Sequence, residues 1–499
     1  MLVYRRLPNR HECFINTLFI MKLNIPIGLS LVSMIASLSC ANNSDRDSSD
    51  TLPNIVLIYV DDMGYGDLSL TGAYGFKTPN LDRMAAEGMF FSQFYAPQAV
   101  CSASRAGLLT GSYPNRIGIT GALNHTSTTG INENEETIAT ILKKRGYATA
   151  IYGKWHLGHH PQFLPTRHGF DEFYGIPYSN DMWPFHPAGP DRFPDLPLFE
   201  NENIVNAAVT PEDQEHFTTD FTERAVDFIR NNREQPFFVY LPHPQPHVPL
   251  FVSGKFKGKS RQGLYGDVMM EIDWSVGRIN SILDELELAG NTLVIFTSDN
   301  GPWLNYGNHA GSAGGLREGK GGTFEGGQRV PALMKWKGVI PPGTVCNNIT
   351  SAIDILPTIA SIAQAPLPEK KIDGVNIKSL LQGDFEENPR NTFYYYYRSN
   401  SLQAVRSGDW KLVFSHPGRT YEGFEPGKDG MPGQVDNNHM FETGLYDLRR
   451  DPGERYNLFE FYPEIVENLE RIASEARRDL GDDLTGFPGE NRRKPGILH

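Results

Sequence analysis

Four short segments carry many of the side chains in this 499-residue chain that could do chemistry. They are Asp61–Asp62 in VDDMGYGD, Lys154 and His156 in GKWHLG, His243 and His247 in PHPQPHVP, and Asp299–Asn300 in SDNG. Asp61, Asp62, Asp299 and Asn300 offer only oxygen donors. That set suits a hard divalent cation, Ca2+ first and Mg2+ second, rather than zinc. Three carboxylates gathered at one point repel one another strongly without a metal. The metal-free alternative is a hydrogen-bonded cluster of turn and cap residues.

Each segment directly follows an apolar run. Residues 54–60 (NIVLIYV), 147–152, 236–241 and 293–297 read as strands, the first as a buried parallel one. Between them the pattern predicts helices over 79–88, with Thr78 as cap and Pro79 at the first position, and over 135–145, stopped by Gly146. Two longer helices follow, one opened by Thr210–Pro211 and running to about 231, the other over 264–289 and ended by Gly290. Alternating strands and helices predict an α/β fold, a large mostly parallel sheet with helices on both faces. In open sheets of this kind ligands bind beyond the carboxyl ends of the strands. All four polar segments are therefore expected at one rim. Singly, each has a plainer reading: an Asp-Asp turn, or a surface histidine in a Pro-rich loop. The agreement of four strand ends is what points to a site.

After residue 385 the texture changes. Residues 393–397, 402–406 and 410–414 read as short antiparallel strands, and 463–480 as an amphipathic helix. They form a smaller C-terminal α+β subdomain. The expected organisation is a leader over 1–39, a polar tether over 40–51, a catalytic α/β domain over 52–385 and the subdomain over 386–499. The composition, 39% hydrophobic and 21% charged, is that of a soluble globular protein. A net charge of −13 argues against a general nucleic-acid binder. An anionic substrate must then be met by local positive charge.

Met21–Lys22 and the apolar run 23–39 have signal-peptide character, with Met21 a more natural start than Met1. The run ends in Ser37–Leu38–Ser39–Cys40, which resembles a bacterial lipoprotein signal with Cys40 as the lipidated residue. The expected location is the periplasm or a lipid-anchored position at the outer membrane, and the anchor is the one membrane contact foreseen. Cys13 lies in the leader. Cys101 and Cys346 remain, with no paired spacing.

Cys101 opens the segment VCSASRAGLLTG. This segment resembles the signature of the type I sulfatases, close to the arylsulfatase A-like group of the alkaline phosphatase superfamily. Their pattern is Cys-x-Pro/Ala-x-Arg followed by Leu-Thr-Gly, and here Ala103 stands where Pro is commoner. Further blocks occur in family order: PNIVLIYVDDMGYGD, TPNLDRMAAEG, GKWHLG, GFDEFYGIPYS, TSDNG, GKGGTFEGGQRVP and LYDLRRDPGE. The resemblance implies that a maturation enzyme oxidises Cys101 to formylglycine (3-oxoalanine). The hydrate of that aldehyde is the nucleophile. One hydroxyl attacks sulfur and the other later expels sulfate, which a serine cannot do.

The resemblance also assigns roles. Asp61, Asp62, Asp299 and Asn300 match metal ligands, completed by the modified Cys101. Arg105 matches the arginine that stabilises the hydrate. Lys154 matches a sulfate-binding lysine, and His156 the base that regenerates the aldehyde. His247 matches the histidine beside the leaving oxygen. Lys320, in LREGKGGTFEGG, matches the lysine bridging sulfate and leaving group, although locally it reads as a solvated loop charge. Asn180 and Asp181, after GIPYS, and His309 and Arg317, in the Gly-rich loop, are candidate substrate contacts. The implied activity is hydrolysis of sulfate esters of a sulfated poly- or oligosaccharide. The competing readings are a phosphonate monoester hydrolase or phosphodiesterase of the same superfamily, and a protein that binds sulfated glycans without turnover.

Overall fold

The computed structural model describes residues 52–186 and 188–498. The leader, its Cys13 and the candidate lipidation site Cys40 lie outside the described residues. Asn54–Val60 is buried along its whole length. It pairs in parallel with Phe237–Pro242 on one side and Thr292–Ser298 on the other. Ala148–Lys154 lies parallel to Phe237–Pro242. These four strands are the centre of an eleven-stranded sheet.

Outward from this centre the sheet is mixed. Glu172–Ile176 extends it in parallel, and the short strands Leu198–Glu200 and Asn203–Asn206 close that side antiparallel. On the other side Arg329–Lys335 runs antiparallel between Thr292–Ser298 and Met89–Tyr95. Alternate residues of the first strand serve opposite faces. Ile55, Leu57 and Tyr59 pack with Leu108, Ile138 and Leu356. Val56, Ile58 and Val60 pack with Phe221, Val268 and Ile272 from the two long helices. Helices on both faces leave the strand ends as the open edge.

The long helix Pro211–Asn231 starts as its sequence predicts. Thr210 Oγ1 accepts from the Asp213 N–H at 3.2 Å, and Asp213 accepts from the Thr210 N–H at 2.8 Å, a capping box. The expected helix over 79–88 is Pro79–Glu87, but Thr78 does not cap it with its side chain. Its hydroxyl is bonded to Ser69. Asp273, from the neighbouring helix Leu264–Glu285, accepts from the Asn80 and Leu81 N–H groups, both at 2.9 Å. The segment 135–145 yields only Ile138–Lys143, capped by Thr137. Glu135 is drawn away into a two-pronged pair with Arg493, at 2.7 and 2.8 Å.

In the C-terminal part, Thr392–Tyr397, Ser401–Ser407, Trp410–Val413 and Gly444–Asp447 form a four-stranded antiparallel sheet. Pro463–Leu480 lays Leu469, Ile472 and Ala476 on it. Its cluster also takes in Tyr95, Tyr113 and Ile353, so the small sheet shares a core with the large one. Cys101 and Cys346 are buried and free. No helix among the described residues is long and apolar enough to cross a membrane.

Candidate active site

The parallel register brings the strand ends level. Val60 pairs with Ser298, and the Asp299 N–H donates to the Val60 carbonyl at 3.1 Å. Asp61, Asp62, Lys154, His156, His247, Asp299 and Asn300 are all buried at this rim. Asp62 and His156 both turn sharply after their strands, each at φ 64°. Such conformations cost energy for non-glycine residues and cluster at functional sites.

Cys101 is the first residue of the helix Cys101–Thr110, after an extended Val100 at φ −154° and ψ 144°. It stands at the positive end of the helix dipole, a place suited to anions. Arg105, four residues on, shares its helix face. Its Nη2 lies 2.8 Å from Asp299 Oδ2 and 3.4 Å from Asp61 Oδ2, and its Nη1 donates to the Lys154 carbonyl at 3.1 Å. The Lys154 ammonium contacts Asp61 and donates to Ser179 Oγ at 3.1 Å. Lys320 lies 2.7 Å from Asp62 Oδ1, with its ammonium 4.5 Å from the Trp303 ring centre. Asn300 Nδ2 donates to Asp62 at 2.7 Å.

The cluster sets three buried carboxylates against three buried cations, a balance that burial demands. Two acceptors are left over, since Asp61 Oδ1 and Asn300 Oδ1 are buried without a hydrogen-bond partner. Asp61, Asp62 and His247 also offer ligand atoms within 4.8 Å of one another. This mainly oxygen donor set, with orphaned oxygens, fits a hard divalent cation. Burial opposes ionisation of Asp61, but Lys154, His247, Arg105 and Lys320 together hold it well below the usual carboxylate range. Burial and the neighbouring Asp61 push Asp299 up to about 7, against the pull of Arg105. Burial pushes the Cys101 thiol up to about 11, although Lys154 and Lys320 stand nearby.

The two histidines differ. His156 Nε2 lies 2.7 Å from the Leu123 carbonyl, an acceptor, so the ring proton sits there. Its Nδ1 is buried without a partner. Burial, then Lys154 and Arg105, hold the ring well below the usual histidine range, so it is neutral with a free lone pair. The Leu123 N–H in turn donates to Ser102 Oγ at 2.9 Å, tying this ring to the Cys101 helix. His247 donates from Nδ1 to the Val248 carbonyl at 2.5 Å, and its Nε2 lies 3.6 Å from Asp62. His243 is not at the site; it bonds Ser275 on a long helix at 2.9 Å.

A family model described as Sulfatase matches residues 53–365, more than half of the chain. The chain belongs to the sulfatase family. A second model, the C-terminal region of aryl-sulfatase, matches residues 388–487. The sulfatase is 38% identical to N-acetylgalactosamine-6-sulfatase of Sus scrofa over 474 residues, covering 90% of this chain and 89% of that one. It is 41% identical to arylsulfatase A of Bos taurus over 434 residues, covering 83% and 85%. A solved structure from a Bacteroides thetaiotaomicron locus for the metabolism of multiple glycosaminoglycans matches with a TM-score of 0.73 at 29% identity, covering 86% of this chain and 99% of that one. The activity is that of a sulfuric ester hydrolase.

The remaining candidates of the sulfatase spread outward. Asp181 is buried within the influence of His247 and Lys154 and lies 3.6 Å from His186. Asn180 donates to the Pro249 carbonyl at 3.1 Å and keeps a buried, unpartnered Oδ1. His309 lies beside Gly430 of a C-terminal loop. Arg317 is not brought to the cluster: it pairs with Glu422 at 3.2 Å and lies over the Phe324 and Phe441 rings. The Lys320 backbone is anchored by its N–H, which donates to the Pro302 carbonyl at 2.9 Å.

Sequence reasoning missed Ser179, Trp303 and Tyr397 as contacts of the site. Ser179 had a signal, since it follows Glu172–Ile176, a fifth parallel strand. Tyr397, which packs against Val100, Cys101 and Ala103, had none, because it arrives from the far subdomain.

Proposed function

We propose that this sulfatase hydrolyses sulfate monoesters of a sulfated saccharide, with Cys101 converted to formylglycine and Ca2+ at the carboxylate cluster. One observation carries the reading: Cys101, at a helix N-terminus, shares a buried site with three carboxylates, three cations and two unpartnered acceptor oxygens. Asp61, Asp62, Asp299 and Asn300 would hold the ion, which supplies Lewis acidity toward a sulfate oxygen. Formylglycine supplies a hydrated aldehyde whose hydroxyl is the nucleophile.

The chain's own groups do the rest. A dication added to a balanced cluster leaves a site of about +2 charge, matched to a sulfate monoester inside an acidic protein. Lys154 and Lys320 bind the sulfate oxygens, and Arg105 orients the group at position 101. His156, neutral with a free Nδ1, takes a proton. His247, on the opposite loop, serves the leaving oxygen. Burial of the whole cluster excludes bulk water. The likeness to the Sus scrofa N-acetylgalactosamine-6-sulfatase supports a sulfated amino sugar as substrate. The leader agrees with export to a bacterial periplasm or outer membrane, with maturation by a formylglycine-generating enzyme.

The test has two readouts on one preparation. Peptide mass mapping of protein co-expressed with a maturation enzyme is expected to find an aldehyde in place of the Cys101 thiol. Sulfate release from a panel of defined sulfated oligosaccharides identifies the substrate. Full activity with an unmodified thiol would refute the nucleophile, and release from aryl phosphodiesters in preference to all sulfates would refute the ester class.

A further inference from the structure

On the rim beside Cys101 stand two arginines with no acid to answer them. Arg419 donates from Nε to Asn437 Oδ1 at 2.8 Å. Arg398 donates to the backbone carbonyl of the same Asn437 and to Asn438 Oδ1. One asparagine thus holds two guanidinium groups, one on its side-chain oxygen and one on its backbone carbonyl. Among the described residues no carboxylate lies within ion-pair distance of either. Arg419 is largely buried, and the groups bearing on its charge are the hydroxyls of Tyr421, Tyr397 and Tyr306.

The pair adjoins the catalytic cluster. A Cβ placed on Gly321 would lie 3.2 Å from both Arg419 Nη1 and the Tyr397 hydroxyl, and Gly321 follows Lys320. The Tyr421 hydroxyl, which Arg419 contacts, donates to the Lys320 carbonyl at 2.5 Å. Tyr397 packs against Cys101 itself. Arg105, Arg116, Arg278, Arg390 and Arg493 meet carboxylates, and the buried Arg406 is held by the Tyr95 hydroxyl, Gln93 and the Gly408 carbonyl. A guanidinium charge in a partly desolvated place without a counter-charge is costly, and an anion bound there removes that cost.

We infer that Arg398 and Arg419, braced by Asn437, form a second anion subsite that reads a further sulfate or a uronate carboxylate on the substrate, beyond the sulfate that is cleaved. The inference rests on the saccharide reading above and narrows it to saccharides bearing at least two anionic groups. Both sources present a planar or trigonal face of oxygens to a guanidinium fork.

The experiment compares saccharides matched in all but the second anion. One arm sets N-acetylgalactosamine 6-sulfate against its 4,6-disulfate. The other sets it against the 6-sulfated disaccharide that carries a uronate. The mature enzyme is expected to favour one doubly anionic member, and Arg398→Ala and Arg419→Ala to raise KM for it by about tenfold or more while kcat changes little. Arg419→Lys should restore part of the loss. Which arm responds tells sulfate from carboxylate.

A second readout needs no turnover. N-acetylgalactosamine 4-sulfate and the unsulfated uronate disaccharide, the products that keep the second anion, are titrated calorimetrically into wild type and variants. One product is expected to bind wild type and to lose that binding in Arg398→Ala and Arg419→Ala. Equal handling of the matched pairs together with no product binding would overturn the inference. So would variants that lower kcat on every substrate alike, the mark of a structural role. Sulfate release from N-acetylgalactosamine 6-sulfate reports separately on the proposed function, and product binding decides the subsite even where no sugar in the panel is turned over.

Discussion

Lys320 lies 2.7 and 2.8 Å from the two carboxylate oxygens of Asp62, although 258 residues separate them in the chain. The pair closes the charge balance of the buried cluster. Lys320→Ala is expected to lower kcat by about 10²–10³, the usual loss for one group that stabilises transition-state charge. It should also leave Asp62 under-compensated, which costs about 3–5 kcal/mol for a buried pair. A bound cation would fill that gap, so under the proposed function the variant's Tm should fall further in chelated than in Ca2+-loaded protein. Turnover above half of wild type would contradict this role.

Metal removal follows from the same cluster. Chelation is expected to abolish turnover and lower Tm, with Ca2+ restoring both and Mg2+ restoring less. Asp61→Ala and Asp299→Ala should lose bound metal, measured as metal per protein by elemental analysis. Full activity in metal-free protein would sink the assignment.

The two histidines divide by leaving group. His247→Ala is expected to slow alkyl sulfates much more than 4-nitrophenyl sulfate, because an acidic phenol needs little proton donation. His156→Ala should slow both alike, since its base acts after the alcohol has left. Rate ratios for the two substrate classes decide the matter. An equal loss in His247→Ala would refute the division.

Away from the site, Lys411 lies 2.7 Å from Glu454 and 3.2 Å from Glu325, all three buried. Burial, with the Glu325 charge adding to it and Lys411 opposing, pushes Glu454 up to about 7. The native state therefore keeps a proton that the unfolded chain releases from its ordinary carboxylate range upward. Stability is expected to decline as pH rises from about 4.5 to about 7 and then level off. Glu454→Gln should make that decline shallower across the window. A wild-type Tm that climbs steadily between those limits would be inconsistent with the shift.

Much of the catalytic rim was legible in the sequence because parallel strands buried on both faces are locally marked, as NIVLIYV and TLVIFTS are. The residues that follow such runs are forced to one edge. Met89–Tyr95 and Arg329–Lys335 are strands that the sequence pattern does not mark. The second carries Pro331 at a register shift between Val330 and Ala332, which breaks the local pattern. The Thr78 cap failed because Asp273, far along the chain, offers the helix better acceptors. Arg317 was drawn from the site by Glu422 and two phenyl rings. Contacts of this kind leave no trace in spacing, and neither does the Arg398–Asn437–Arg419 arrangement.

Cys101 is 3% exposed, and Tyr397, which packs against its cluster, is synthesised roughly 300 residues later. At about 5–20 residues per second, some 15–60 s pass between the two. Any enzyme that must reach the sulfur has that interval, while the chain is still open, and loses its access once the C-terminal sheet docks. Under the proposed conversion of Cys101 the fold would act as a clock on its own maturation, and a chain that closed early would be sealed with an unconverted thiol inside.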